Sequence, residues 1–250
     1  MTDVEVPESH PRYESLLTRH RIEEGVEMGI TSQQGLIAQG RGEAFDYLLG
    51  ERTIPSADAA ERAAAAHLLL ADHPVLSVNG NVAALVPGET VELADATGAD
   101  VEVNLFNRTE ERMDAIVEHL RDHGVEDVKG LTADGRIPGL DHERAKVDAD
   151  GIGDADVVLV PLEDGDRAEA LGEMGKVEIV VDLNPMSRSA QAAQVPIVDN
   201  VIRAVPGITD HARDLADADR ETLEGIVEAF DAEDTLAAAE RAIREGELDD

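Results

Sequence analysis

The sequence contains no cysteine and no tryptophan, and only 3 phenylalanines and 2 tyrosines occur among its 250 residues. The absence of cysteine excludes disulfide bonds, thiolate metal sites and a cysteine nucleophile. No apolar run reaches the ~18 residues of a membrane-spanning helix. The polar residues 1–11 also lack the apolar core of a secretion signal. We therefore expect a cytoplasmic protein that makes no use of a membrane.

Positive charge is also scarce. Lys129, Lys146 and Lys176 are the only lysines among 21 basic residues, which face 55 acidic ones and leave a net charge of −34. This balance argues against binding nucleic acid through a general basic face. With 42% hydrophobic residues, the chain is predicted to fold under an acidic surface. We interpret the composition as that of a salt-accumulating halophile, and an ordinary acidic protein is the alternative.

The apolar pattern predicts one α/β domain with three parts. Residues 1–73 form a helical segment with helices over 12–28, 36–49 and 56–72, the last with Ser56 as N-cap. Residues 74–206 form a Rossmann-like core. Residues 207–250 form acidic C-terminal helices around 223–230 and 236–243, for which a dimer arm and a lid are both open.

Strands and helices alternate in the core. The predicted strands are 75–78, 101–106, 157–160, 179–181 and 196–198, and the predicted helices are 90–96, 109–120, 167–174 and 187–193. Most of these strands are apolar on both faces, which is typical of a three-layer αβα parallel sheet. Glu102 and Asn104 interrupt the second strand, which we expect nearer an edge, and Pro196 predicts an edge or first-residue position.

Ligands of such sheets bind at the carboxyl ends of the strands, and all five predicted strands are followed by polar loops. After the fourth strand, Ser187, Arg188 and Ser189 open a helix, so backbone N–H groups, hydroxyls and a guanidinium suit a phosphate. Asp182 and Asn184 can accept hydrogen bonds from a ribose or adenine. For any single one of these loops, the alternative is that its polar residues only form a turn and bind no ligand.

The loop after the third strand carries three carboxylates, Glu163, Asp164 and Asp166. Such a group suits Mg²⁺ with phosphate oxygens as further ligands, although an acidic surface explains part of it equally well. Arginines near Gly, Ser or His are candidate anion clamps. Those in the N-terminal segment and around residues 137–142 are Arg12, Arg19, Arg21, Arg41, Arg136 and Arg144, with Lys146. Surface salt bridges are expected for Arg62, Arg112, Arg220, Arg241 and Arg244.

Several common signatures are missing. The sequence has no P-loop, no G-x-S-x-G elbow, and no G-x-G-x-x-G after a strand. His119 and His123 are four residues apart, but Leu120 stands where H-E-x-x-H has glutamate, so a zinc hydrolase is not expected. The residues alone therefore predict a soluble α/β protein that binds a phosphorylated ligand, most simply a nucleotide.

A series of strings from about Ser9 to Pro206 resembles the archaeal 4-phosphopantoate–β-alanine ligase family, also called phosphopantothenate synthetase. The strings are SHPRY (9–13), LIAQGRGEAFDYLLG (36–50), SVNGN (77–81), NLFNRTE (104–110), RIPGL (136–140), VPLEDGDR (160–167), DLNPMSRS (182–189) and IVDN (197–200). Gln39 departs from the resemblance, since histidine is common there.

The resemblance implies a homodimeric enzyme that condenses 4-phosphopantoate with β-alanine in coenzyme A biosynthesis. It uses ATP, releases AMP and diphosphate, and passes through a presumed acyl adenylate. The ATP contacts it implies are Arg19, Arg41, Asp182, Leu183, Asn184, Arg188, Ser189, Asn200 and Val201.

Further roles are assigned from chemistry. We expect Arg19, Arg41 and Arg188 on phosphates, with Glu163 and Asp166 as further catalytic residues and Asp164 on Mg²⁺. Asn79, Asn81, Arg12 and Arg144 are the candidates for binding the other substrates. A nucleotide-linked oxidoreductase on the same fold and a non-enzymatic acidic binding module are the two alternatives.

The composition makes stability dependent on salt. At molar salt the Debye length is only ~3 Å, which removes most of the repulsion among surface carboxylates. Dialysis from molar KCl to dilute buffer should therefore lower the melting temperature and unfold part of the helix content measured by circular dichroism. An unchanged melting temperature in dilute buffer would refute the halophile interpretation.

Overall fold

The computed structural model describes residues 6–7, 9–161 and 165–246. Within these ranges the chain begins with three helices, α1, α2 and α3. A core of alternating strands and helices follows, and three more helices end the chain. The N-terminal helices are Tyr13–Glu27, Gln33–Leu49 and Pro55–Leu70. In the described part of the chain, no helix combines the length and apolar composition needed to cross a membrane.

The core carries eight strands and five helices. In chain order these are β1 Pro74–Val78, α4 Gly80–Leu85, α5 Pro87–Thr97, β2 Asp100–Val103, α6 Glu110–Asp122, β3 Val128–Lys129, β4 Gly135–Arg136, β5 Lys146–Val147, β6 Val157–Pro161, α7 Gly165–Glu173, β7 Val177–Val181, α8 Arg188–Ala192 and β8 Val195–Ile197. The C-terminal helices are α9 Val201–Asp214, α10 Arg220–Ala229 and α11 Ala232–Glu245.

Six strands form one parallel sheet in the order β3-β2-β1-β6-β7-β8, while β4 and β5 form a separate antiparallel pair. Successive residues of β6 alternate between two apolar clusters: Leu159 packs with α3, α5, α6 and α9, and Val158 packs with α7 and the 137–155 segment. Both faces are thus covered, which confirms the predicted three-layer α/β fold. Pro196 lies in β8, an edge strand as predicted.

Several local predictions need correction. Helix α3 begins with Pro55 after Ile54, and no side chain caps it, so Ser56 is not its N-cap. Helix α9 is not among the predicted helices; it crosses the predicted boundary at 206/207 and contains Pro206. Helices α10 and α11 both pack against α3, and their roles as a dimer arm or a lid stay open. Leu223, Ala239 and Ala242 are the buried anchors of these two helices.

Strand β2 lies between β1 and β3, and the glutamate within it does not face water. Glu102 is fully buried, and its carboxylate accepts the backbone N–H groups of Asp148 at 3.1 Å and Ile152 at 2.7 Å. Asp148 in turn accepts N–H groups from Gly130, at 2.7 Å, and Ala133. The polar residue that alternates with apolar ones in this strand is therefore an internal hydrogen-bond acceptor, and its bonds hold the 130–153 segment on the sheet. β2 is the second strand of the sheet, next to the edge strand β3, which confirms the expected position nearer an edge.

Burial raises the pKa of Glu102 to about 7. An unfolded glutamate has a pKa of about 4.3, so the folded state holds this proton more tightly. The stabilisation from the protonated group is complete below the unfolded pKa and is lost as pH rises through about 7. We expect the free energy of unfolding of the wild type to fall by about 3 kcal/mol over this window, relative to Glu102→Gln.

The measurement is denaturant unfolding in molar KCl across this pH range. Glu118→Gln, on the exposed face of α6, is the control and should keep the wild-type pH dependence. Parallel curves for wild type and Glu102→Gln would contradict the assignment.

Candidate functional site

A cleft lies where the sheet changes direction. The chain runs outward from β1 through β2 to β3, and then from β6 through β7 to β8 on the other side, so the carboxyl ends of β1 and β6 meet at a switch point. Asn79 joins the two ends there. Its side-chain oxygen accepts the N–H groups of Asn81 and Val82, which caps α4, and its amide donates to Pro161 O at 2.9 Å. The cleft beside this turn has a volume of about 330 Å³.

The N-terminal end of α2 forms the opposite wall. Thr31 Oγ1 donates to Asn81 Oδ1 at 2.5 Å, and Asn81 Nδ2 donates to Gly35 O at 3.1 Å. A Cβ atom at Gly35 would lie 2.2 Å from Thr31 Oγ1, so only glycine permits this approach. Asn79 and Asn81, which we predicted to bind substrate, thus line the cleft while their side chains build its walls.

Arginine dominates the charge of the cleft. Arg41, Arg112 and Arg144 line it, and Asp182 is the only carboxylate among the described lining residues. This composition is the reverse of the chain's overall excess of acid. The arrangement therefore suits an anionic ligand with several negative charges.

Arg112 is held at the floor of the cleft. Its Nε donates to Ile30 O at 3.0 Å, and its Nη1 contacts Asn107 O at 3.4 Å. A Cβ at Gly80 would lie 2.5 Å from Arg112 Nη2, so the glycine makes room for the guanidinium. Burial and the charge of Arg144 lower the pKa of Arg112. Two arginines that repel each other across a cleft would both be stabilised by an anion between them.

Arg112 was predicted to make a surface salt bridge, and that prediction is wrong. Its position in α6, directly after the loop that ends β2, turns it toward the cleft rather than toward solvent acids. Arg220 and Arg244 do form the expected pairs, with Glu224 and Glu240. The sequence feature that could have identified Arg112 as a cleft residue is its position just after the string 104–110, which follows the end of a strand.

The loop between β7 and α8 is ordered by its own side chains. Asp182 accepts the N–H of Asn184 at 3.1 Å and the hydroxyl of Ser187 at 2.6 Å, and Ser187 Oγ caps α8 by accepting the N–H of Ala190. Asp182 reaches the cleft. Arg188, the first residue of α8, is exposed and pairs with Glu169 at 2.9 Å. The predicted helix opening is present, and its guanidinium is held at the surface by α7.

Two predicted phosphate ligands lie outside the cleft. Arg12 and Arg19 both bind the Glu43 carboxylate, and the hydrogen bond from Arg19 lowers the pKa of Glu43. Arg12 also lies over the Tyr47 ring, 4.9 Å from its centroid. Arg19 lines a smaller cavity on the α1–α2 side with Gln39 and Gly40. The structure therefore brings Arg41, but neither Arg12 nor Arg19, into the cleft of its own chain.

Of the other predicted nucleotide contacts, Ser189, Asn200 and Val201 are buried, Leu183 is half-buried and Asn184 is exposed. Asn200 Nδ2 donates to Asp46 Oδ2 at 3.2 Å, below α2. Leu183 packs against the apolar cluster of α2 and α11. Neither residue lines the cleft, and the same is true of Ser189 and Val201, which are buried at the starts of α8 and α9.

A buried ion cluster holds this region together. Arg203 of α9 binds Asp199 at 2.7 Å, Asp46 of α2 at 2.6 Å and Glu14 of α1 at 2.9 Å. Burial alone would lower the pKa of Arg203, but Asp199 and Asp46 raise it above its ordinary value. Thr53 Oγ1 adds a bond to Asp199 at 2.6 Å. Sequence reasoning missed Arg203, because its partners lie up to 189 positions away.

The predicted carboxylate cluster cannot be assembled from the described residues. Glu163 and Asp164 lie outside them. Asp166 is exposed, with Oδ2 at 3.5 Å from Nε2 of His142. Among the other predicted clamps around 137–142, Arg144 lines the cleft, whereas Arg136 donates to Leu140 O and Lys146 pairs with Glu143.

Comparison with known proteins gives a consistent result. A model of the phosphopantothenate/pantothenate synthetase family matches residues 56–246. A protein of Thermococcus kodakarensis, named 4-phosphopantoate–β-alanine ligase, is 59% identical over 235 residues, covering 94% of this chain and 90% of its own. A protein of the same name from Methanosarcina mazei is 54% identical over 245 residues, covering 98% of this chain and 96% of its own.

Proposed function

The chain belongs to the phosphopantothenate/pantothenate synthetase family, and from this we propose that it is the ligase that joins 4-phosphopantoate to β-alanine. The products are 4-phosphopantothenate, AMP and diphosphate, on the route to coenzyme A. ATP is the co-substrate. The strongest support from the site is the cleft at the switch point, where three arginines face one described carboxylate.

Each substrate other than β-alanine is an anion. ATP and 4-phosphopantoate bring several negative charges to one site, and a chain with net charge −34 repels them everywhere except at such a cleft. Arg41, Arg112 and Arg144 provide guanidinium forks that bind phosphate and carboxylate oxygens. This charge pattern fits the ligase better than the oxidoreductase or the acidic binding module considered from sequence.

The first step activates a carboxylate. A carboxylate oxygen of 4-phosphopantoate attacks the α-phosphorus of ATP, the bond to the β-phosphate oxygen breaks, and diphosphate leaves. An acyl adenylate remains. Negative charge spreads over the transferring phosphate during this step, so fixed arginines stabilise it more than they stabilise bound ATP.

The second step forms the amide. The amine of β-alanine, after losing a proton, attacks the acyl carbon of the adenylate, and AMP leaves with the electrons of the broken C–O bond. The walls built by Asn79, Asn81 and the start of α2 hold both reactants beside each other, and positioning of this kind supplies a large part of the rate.

The proposed ATP contacts are the motif residues named above. Arg41 and Asp182 line the cleft, and Arg188 is the first residue of α8, which follows the loop that begins with Asp182. Arg19, Leu183, Asn184, Ser189, Asn200 and Val201 stay predictions, as do Arg12, Glu163 and Asp166.

Mg²⁺ is part of the proposal only as a companion of ATP. The described cleft residues include a single carboxylate, Asp182, and both of its oxygens already accept hydrogen bonds. This donor set does not form a magnesium site, and Asp164, the predicted ligand, lies outside the described residues. We therefore derive no step through the metal.

The decisive experiment measures AMP release from ATP in molar KCl. AMP should form only when 4-phosphopantoate and β-alanine are both present, and Arg188→Ala should abolish turnover. Arg112→Leu should reduce kcat/KM about 100-fold or more, the cost of removing one preorganised charge donor. Arg220→Ala, at an exposed pair on α10, is the matched control and should leave the rate unchanged.

AMP release that does not depend on the two substrates would overturn the function. Near-normal activity of Arg188→Ala or Arg112→Leu would instead remove that residue from the site and leave the function intact.

We also propose that the chain works as a homodimer through α2. The helix exposes Leu36, Ile37, Tyr47 and Leu48, and Ile37 is 77% exposed. The pairs 36–37 and 47–48 are three helical turns apart and share one face. Gly40 lies between them, and a Cβ there would meet nothing within 4 Å, so a second helix can approach closely. An exposed apolar face of this kind is typical of an interface.

Ile37→Glu should disrupt that dimer, because it places a charge at the most exposed apolar residue of the face. Light scattering after size-exclusion chromatography in molar KCl should give about twice the chain mass of 26.7 kDa for wild type, and the single-chain mass for the variant. Met174→Glu, an exposed apolar position after α7, is the matched control. A wild-type monomer, or a dimeric Ile37→Glu variant, would contradict the interface.

A further inference from the structure

A group of potential metal-binding side chains lies between α3 and α9, away from the cleft. Asp58 and Glu61 are three residues apart on α3 and therefore share a helix face, and His211 approaches them from α9. One ligand atom of each lies within 4.8 Å of the other two, and His211 Nε2 is 3.0 Å from Asp58 Oδ1. Among the described residues, this is the one such group of three potential metal-binding side chains.

Glu61 is the independent observation that points to a ligand. Its side chain is 2% exposed, and Oε1 is buried without a hydrogen-bond partner in the described structure. The two helices are packed tightly around it. A Cβ at Gly207 of α9 would lie 2.1 Å from Glu61 Oε2, so the glycine leaves space for this carboxylate. A buried, unpaired carboxylate is costly and needs a compensating partner.

The arginine that faces Glu61 does not provide that partner. Arg203 is the cation that faces Glu61, and it is engaged by Asp199, Asp46 and Glu14. The acids facing Glu61, Asp199 and Asp58, add repulsion rather than relief. The local charge is therefore negative, and a cation would neutralise it.

We propose that Asp58, Glu61 and His211 bind a divalent transition-metal ion, with Zn²⁺ as the best match. One imidazole nitrogen and two carboxylate oxygens are typical zinc ligands, and two carboxylates balance its charge. Ligands of a tetrahedral zinc, each about 2.0–2.1 Å from the metal, lie roughly 3.3 Å apart, close to the His211–Asp58 separation. The exposed side of Asp58 leaves access for a water as fourth ligand.

Such an ion would fasten α3 to α9. These helices cover the face of the sheet that lies opposite α7. The start of α9 also contains Arg203, whose ion cluster lies next to the nucleotide-binding residues predicted at 200–201. The role is structural, so it does not depend on the reaction that the cleft performs.

The test begins with protein stripped by EDTA and dialysed into molar KCl. Isothermal titration with Zn²⁺ should show one ion bound per chain, and the melting temperature measured by circular dichroism should rise by several degrees. Glu61→Gln and His211→Asn should each weaken binding by about 100-fold or more, because each removes a ligand. Glu61→Gln keeps the shape of the side chain, so its melting temperature without zinc should not fall.

His123→Asn is the matched control. His119 and His123 are four residues apart on α6, with ring centroids 4.4 Å apart, and are the competing place for zinc to bind. The variant should bind as the wild type does. The proposal is overturned if wild type binds no zinc, if affinity is unchanged in Glu61→Gln and His211→Asn, or if it is lost in His123→Asn.

Discussion

The guanidinium of Arg203 is the contact on which the arrangement of the molecule depends. It binds carboxylates from the end of β8, from α2 and from α1, and it is nearly buried among them. These bonds dock the N-terminal helices on the sheet, and one wall of the cleft belongs to α2. Loss of either side of this cluster would leave charge buried without compensation, which costs several kcal/mol.

The surface and the cleft carry charge of opposite sign: the surface is acidic and the cleft is basic. The chain has 34 more acidic than basic groups, yet three arginines and one described carboxylate line the cleft. At molar salt, charges farther apart than ~3 Å are largely screened. Direct hydrogen bonds from fixed guanidiniums are less sensitive to such screening, and Arg112 is fixed in the cleft by its hydrogen bond to Ile30 O.

Acidic residues lie in several kinds of surroundings that composition does not distinguish. Most lie on the surface, but Glu102 and Asp148 are internal acceptors that organise the 130–153 segment. Glu61 is a third kind, buried without a hydrogen bond at Oε1. In the sequence alone, these three residues look like any other acidic residue of the chain. Their different surroundings come from which distant backbone N–H groups or helices pack against them.

The sequence predicted five of the six strands of the parallel sheet, their polar carboxyl ends and the start of α8 at Ser187, because periodicity and capping depend on residues near one another in the chain. The two-residue strand β3 is too short to show such a pattern. The strings that resemble the ligase family were also readable without a structure. Only the tertiary structure placed Arg112 in the cleft, Arg12 and Arg19 on Glu43, and Arg203 among its acids. Apart from Asp199, which is four residues from Arg203, those partners are separated by 24 to 189 residues, so local pattern carries no signal for them. The packing of helices on the sheet selects which side chains meet.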